Sequence, residues 1–186
     1  MLIGTSIWFP AMLATDATMV FLRIVHIVTG VIWVGSLFVV VVFVQPSAAT
    51  LGAAGAPFMS ELRRRRFVDV VFIDALFTVI AGSLLYWRDW HTYPSFGDWI
   101  GSSFGASLTV GALLAISGLV VAATVTRPTI GRLVSLGRQL AGSGGPPSTE
   151  QAARIGALQR RLVVAERVSF SLVLLAVVAM ASARYL

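Results

Sequence analysis

His26 is the residue with the most chemistry to explain. It lies inside the apolar run from Thr18 to Val44, where an ionisable side chain costs free energy unless something compensates it and therefore marks a functional hypothesis. Arg23, His26, Gly30, Trp33 and Leu37 follow one another at spacings of three and four, so a helix would present them on one face. Gly30 removes bulk one turn from His26, leaving a notch for a flat group or a neighbouring helix. A neutral imidazole is a common haem ligand, and helical bundles hold cofactors on side chains that project inward. The same spacing suits a histidine that hydrogen-bonds a carbonyl or hydroxyl across the bundle, with Gly30 admitting a close neighbour. Haem b on His26 and this structural role are the two readings that the spacing allows.

The remaining candidates fall into two groups. His91, in the aromatic stretch Trp87 to Tyr93, is the only other histidine; it is either a second axial ligand or an interfacial anchor. Arg23 and Arg88, both near the outer ends of their segments, suit haem propionates or lipid headgroups. Asp74 and Arg167 enter the second and fourth apolar segments from one side at similar depth. They are expected to form an ion pair across the bundle, with a proton relay as the alternative. Tyr86, Trp87, Trp90, Tyr93 and Trp99 read as an interfacial belt. No serine or threonine has the histidine and carboxylate that a hydrolytic site needs.

What positions these residues follows from composition. With 57% hydrophobic residues, 12% charged residues and a mean hydropathy of +0.87, the chain has too little polar surface for a soluble globule. It is expected to be an integral membrane protein. There is no cysteine, so disulfides and thiolate metal sites are excluded. Every basic residue is arginine and the formal net charge is +6, but the arginines flank apolar segments, which argues for orientation and headgroup contact and against a nucleic-acid partner.

A helix needs about 20 apolar residues to cross roughly 30 Å of hydrocarbon, and segments at about 18–44, 67–87, 104–126 and 162–184 meet that length. Arg63 to Arg66 precede the second, and Arg127, Arg132, Arg138, Arg154, Arg160 and Arg161 lie between the third and fourth. By the positive-inside rule those two loops are cytoplasmic and both termini lie outside. The first 17 residues, with Trp8 and Phe9, read as an interfacial segment and not as a signal peptide. The Ala- and Gly-rich first loop, Pro46 to Leu62, leaves room for a short surface helix. Between Pro128 and Leu162, Ile130, Leu133, Leu136 and Leu140 recur at helical spacing, Gly142 to Pro147 break the pattern, and Ser148 with Gln151 forms a capping-box signature. The third and fourth helices are therefore expected to extend as a hairpin, 127–161, beyond the membrane. No internal repeat is visible.

His26 followed by Trp33 and Gly35 within an apolar first helix resembles the copper-resistance protein D superfamily, with the HemJ-type protoporphyrinogen oxidases and the membrane domain of bacterial urate oxidase. Leu85-Tyr86-Trp87-Arg88, Arg127-Pro128-Thr129 with Arg132-Leu133, and Ala183-Arg184-Tyr185-Leu186 look like an uncharacterised bacterial four-span branch of it. The resemblance implies a haem-ligating histidine in the first helix, and that role carries over to His26 alone. The HemJ-type branch also uses an intramembrane lysine. This chain has none, so oxidase activity does not carry over. Met12, Met19, Met59 and Met180 show no paired spacing of the kind a copper path would use.

The expectation is an all-α, four-span antiparallel bundle with an extended cytoplasmic helical hairpin, in a bacterial inner membrane. Its expected function is that of a b-haem-binding redox component. The alternative is a non-catalytic accessory subunit on a larger respiratory or photosynthetic complex, with membrane lipid, that complex or a homo-oligomer as partner. Copper or other solute transport ranks below both.

Overall fold

The computed structural model describes residues 15–143 and 146–186, and among them all regular structure is helical. Helix α1 spans Asp16–Val39, a π-turn covers Val40–Val44, and α2 continues it over Gln45–Thr50. A short α3, Gly55–Arg64, leads into α4, Phe67–Trp90. Helix α5, Phe96–Gly101, precedes α6, Ser103–Val121, which passes through a π-turn at Ala122–Thr126 into α7, Arg127–Ser143. Helix α8 runs Thr149–Ser182 and ends in a 3-10 turn, Ala183–Tyr185. Four of these continuous helical rods are long and apolar enough to span a membrane. The multi-pass all-α bundle expected from the sequence is thus observed. The segment containing Trp8 and Phe9, and residues 144 and 145 of the hairpin tip, lie outside the described residues.

Local chemistry sets the ends. The hydroxyl of Thr15 accepts from the Thr18 amide to cap α1. At the start of α8 both halves of the capping box form: Ser148 Oγ accepts from the Gln151 amide, and Gln151 Oε1 accepts from the Ser148 amide. Arg66 adopts a left-handed φ of 57° at the joint between α3 and α4, a conformation that usually costs a non-glycine residue free energy.

Two prolines account for the π-turns. Proline lacks an amide proton, and its ring crowds the carbonyl four residues earlier. Pro46 and Pro128 each sit two residues after the end of a π-turn, Val40–Val44 and Ala122–Thr126. The wider turn absorbs the proline and lets the helix continue. The first helical rod therefore reaches Thr50, beyond the expected boundary at 44, and the third runs unbroken into the hairpin.

Helix α1 packs along α4 and α6 packs along α8; contacts of α4 with α6 and of α1 with α8 join the two pairs. Lipid tails are as apolar as leucine, so such pairs depend on close backbone approach and interhelical hydrogen bonds. In the α6–α8 pair, Ser169 Oγ donates to the Gly118 carbonyl at 2.8 Å. A Cβ on Gly118 would lie 2.7 Å from Val173 Cγ2, so glycine sets the spacing there. Helix α5 was not expected. Ser95 caps it, and Trp99 is 0% exposed between Tyr86 and Tyr93, with ring centroids at 5.4 and 5.0 Å. Trp99 is accordingly an internal wedge and not part of an interfacial belt, because the α5 turn folds it back under the end of α4.

The alternation of the four rods puts Arg64 and Gln139 at one end and Thr92 at the other. With no native cysteine to compete, Arg64→Cys and Gln139→Cys are expected to react with an impermeant maleimide from the same side of sealed vesicles, and Thr92→Cys only from the opposite side. Labelling of Gln139→Cys together with Thr92→Cys would break the alternation.

Candidate functional site

His26 lies in the seam between α1 and α4. Its Nδ1 is 2.8 Å from the Thr78 carbonyl oxygen, and since a carbonyl only accepts, Nδ1 carries the proton and donates. In the neutral ring, Nε2 is then the unprotonated nitrogen with a free lone pair. The imidazole fits because residue 82 is glycine: a Cβ there would lie 2.7 Å from Cε1, 2.8 Å from Nδ1 and 3.7 Å from Nε2. Leu22 and Ala81 are buried beside this site, with Val25 and Leu85 packed against them.

One turn further along, the seam contains a small hydroxyl cluster. Thr29 Oγ1 and Thr78 Oγ1 are 2.8 Å apart; Thr29 also donates to its own Val25 carbonyl. A Cβ on Gly30 would sit 3.4 Å from Thr78 Cγ2, so Gly30 is occupied by the approaching helix and not open on this side. Trp33 is 2% exposed and packs with Ala75 and Val173. His26, Gly30 and Trp33 thus share the inward face, as the spacing predicts, whereas Arg23 is exposed at its edge. Thr78 and Gly82, which fix the orientation of His26, escaped the sequence reading. A Thr-x-x-x-Gly pattern four residues apart on the second apolar segment was the available signal.

The other candidates are dispersed. His91 caps the end of α4, is exposed, donates from Nδ1 to its own Trp87 carbonyl at 2.6 Å, and stacks between Trp87 and Trp90 at 4.3 and 4.2 Å. It follows Gly82 by nine residues, roughly 13 Å along a helix axis, so the structure does not bring the two histidines together. Arg88 faces Asp89 at 3.7 Å on the same helix. Among the described residues no three histidine or carboxylate side chains converge as a metal cluster, which does not bear on a macrocycle held by one imidazole.

The expected ion pair does not form. Residues Ala165, Ser169, Val173 and Ala176 face inward from α8, and Arg167, about 200° around the helix from Ala165, is exposed. Asp74 Oδ2 is buried without a hydrogen-bond partner. Equal depth placed the two residues at one level, but helical phase turned Arg167 away. Glu166, next to it, faces inward and accepts from Gln45 Nε2. Among the described residues it is Arg127 that pairs with a carboxylate of another helix: its Nη2 donates to Asp69 Oδ1 at 2.9 Å while its guanidinium lies 4.3 Å above the Phe72 ring.

No family model, curated protein or solved structure matches the chain. The site is therefore read from its own geometry. Because Asp74 and Arg167 are not partners, Asp74→Ala and Arg167→Leu are expected to change stability additively within about 0.5 kcal/mol in a double-mutant cycle. A coupling of several kcal/mol in thermal unfolding would restore the pair.

Proposed function

We propose that the protein is a b-haem-binding redox component of a bacterial cytoplasmic membrane, in which His26 Nε2 would hold the haem iron. One observation carries this reading: the Nδ1 proton is committed to the Thr78 carbonyl, so the nitrogen left with a lone pair is Nε2. Metal-ligating histidines nearly always donate their other ring N–H to a carbonyl or carboxylate, which fixes the tautomer and raises ligand basicity. Thr78 and Gly82 are the positioning residues, one accepting the proton and the other leaving space for the ring. The resemblance of the first helix to haem-ligating relatives points the same way. Haem would supply one-electron transfer; the chain would supply the imidazole and, from Arg23 and Arg88, charges suited to propionates. The arginine-rich end would face the cytoplasm.

An accessory subunit of a larger complex is the second reading. It draws on the apolar outer faces, such as Phe21, Ile24, Val28 and Val31 on α1, which lipid satisfies equally well.

Purified protein produced with ample haem is expected to show a Soret band whose α and β bands sharpen on reduction. His26→Ala should insert, fold and purify without it, because four apolar rods remain and only the ligand is lost. Gly82→Val should reproduce that loss by displacing the ring, and His91→Ala should retain the haem. A colourless wild type, or wild-type haem content in folded His26→Ala, would leave His26 as a hydrogen bond in the seam and move the accessory-subunit reading to first place.

A further inference from the structure

At its arginine-rich end the α6–α8 pair carries an open groove on the lipid-facing side, remote from His26. The groove measures about 380 Å³ and runs between the third and fourth helical rods. Val121, the last residue of α6, and Val125 in the π-turn form one wall; Val164 and Val168 of α8 form the other. Its hollow follows from a wide π-turn set against the buried Ala165, which offers only a methyl group. Val164 and Val168 are 60% and 44% exposed, so this apolar wall is left to whatever surrounds the protein.

Three cations rim the groove. Arg160 and Arg161 line it where α8 leaves its apolar segment, which begins near residue 162. A Cβ on Gly156 would lie 3.5 Å from Arg160 Nη1, so that guanidinium rests over bare backbone a turn outside the apolar segment, at headgroup depth. Arg167 follows Arg160 on α8 at about 20° of helical phase and about 10 Å further along the axis. It is exposed inside the apolar segment, where a charge without a partner is costly. Side chains lean toward the N-terminus of their helix, which directs the Arg167 stem along the groove edge toward Arg160 and the membrane boundary. None of the three has a hydrogen bond or ion pair among the described residues. The nearby carboxylates are occupied elsewhere: Glu166 faces inward on Gln45, Glu61 holds Arg64 and Arg65, and Asp69 holds Arg127.

A soluble anion would satisfy these arginines but leave the valines bare, and a hydrocarbon chain would cover the valines but leave the arginines unpaired. An anion joined to an apolar chain does both. Arginine forks match phosphate oxygens two at a time, and an anionic membrane surface presents phosphate just outside the hydrocarbon. We propose that the groove holds one anionic phospholipid from the leaflet on the arginine-rich side, its phosphate on Arg160, Arg161 and Arg167 and one acyl chain between the valine walls. Lipid tails do not distinguish one apolar surface from another, so the arginines supply selectivity and the groove supplies residence. The bound lipid bridges the third and fourth rods at the π-turn. The site is separate from His26 and does not depend on haem.

The test is native mass spectrometry of the full chain in detergent, which resolves bound lipids one at a time. The protein is titrated with palmitoyl-oleoyl phosphatidylglycerol and with phosphatidylcholine carrying the same chains. The first phosphatidylglycerol is expected to bind roughly tenfold or more tighter than the first phosphatidylcholine. Arg160→Gln with Arg161→Gln should abolish that preference, and Arg167→Gln should reduce it several-fold. Arg63→Gln with Arg138→Gln removes the same charge from exposed positions elsewhere at this end and should leave the preference intact. Val164→Trp fills the groove without touching an arginine and should weaken the first phosphatidylglycerol several-fold. Glycerol 3-phosphate, the anion without chains, should not displace it. Equal affinity for the two lipids, an equal loss in the Arg63 and Arg138 variant, wild-type affinity in Val164→Trp, or displacement by glycerol 3-phosphate would each overturn the proposal. The first would leave an ordinary lipid-facing surface, the second general charge attraction, the third a headgroup contact with no seated chain, and the last a site for a soluble phosphate ester.

Discussion

The constraint behind most of this structure is that a polar atom in hydrocarbon must find its partner inside the protein. His26 meets it through the Thr78 carbonyl, and that bond fixes more than one side chain. It draws α4 against α1 at a level where residue 82 has no Cβ to obstruct the ring, and it brings Thr29 and Thr78 hydroxyls together one turn further on. Trp33 is then set against Ala75 and Val173 deeper in the bundle. The α6–α8 pair solves the same problem with smaller means: a serine hydroxyl on a glycine carbonyl, with the Val173 side chain seated against the bare Gly118. In both pairs the hydrogen bond and the missing Cβ act together, since neither helix can approach without the second and neither approach is rewarded without the first.

The bundle treats its two ends differently. Toward the tryptophan-rich end His26 is satisfied by a carbonyl, Tyr86 by Thr109 and His91 by its own helix, and the buried Trp99 indole nitrogen alone is left without a partner among the described residues. Toward the arginine-rich end Asp74, Gln45 and Thr126 each leave a buried oxygen without a partner. Native proteins rarely leave such atoms unpaired without use for them. The paired proline-linked π-turns lie at this same end, so the irregular backbone and the unsatisfied side chains coincide.

Much was legible from residue types. Mean hydropathy and segment length determine an all-helical, four-span chain because only such helices satisfy their backbone in lipid without a barrel. The Ser148–Gln151 capping box and the leucine periodicity before it determine the extended hairpin, both being local interactions within a few residues. The three-and-four spacing of His26, Gly30 and Trp33 determines that they share a face.

What the tertiary structure decided is which groups those faces meet. Thr78 and Gly82 lie some fifty residues from His26, and no local pattern ties them to it; their roles follow from the register of α4 against α1. Arg167 and Glu166 are neighbours in sequence, yet about 100° of helical phase sends one outward and the other to Gln45. Depth could be counted from the sequence, but rotation about the helix axis could not, because packing of α8 on α6 sets it. Trp99 shows the same division: its aromatic character is written in the chain, but only the α5 turn buries it. Composition and period fix what each helix is, and interhelical register, which depends on contacts distant in sequence, fixes which side chains can act together.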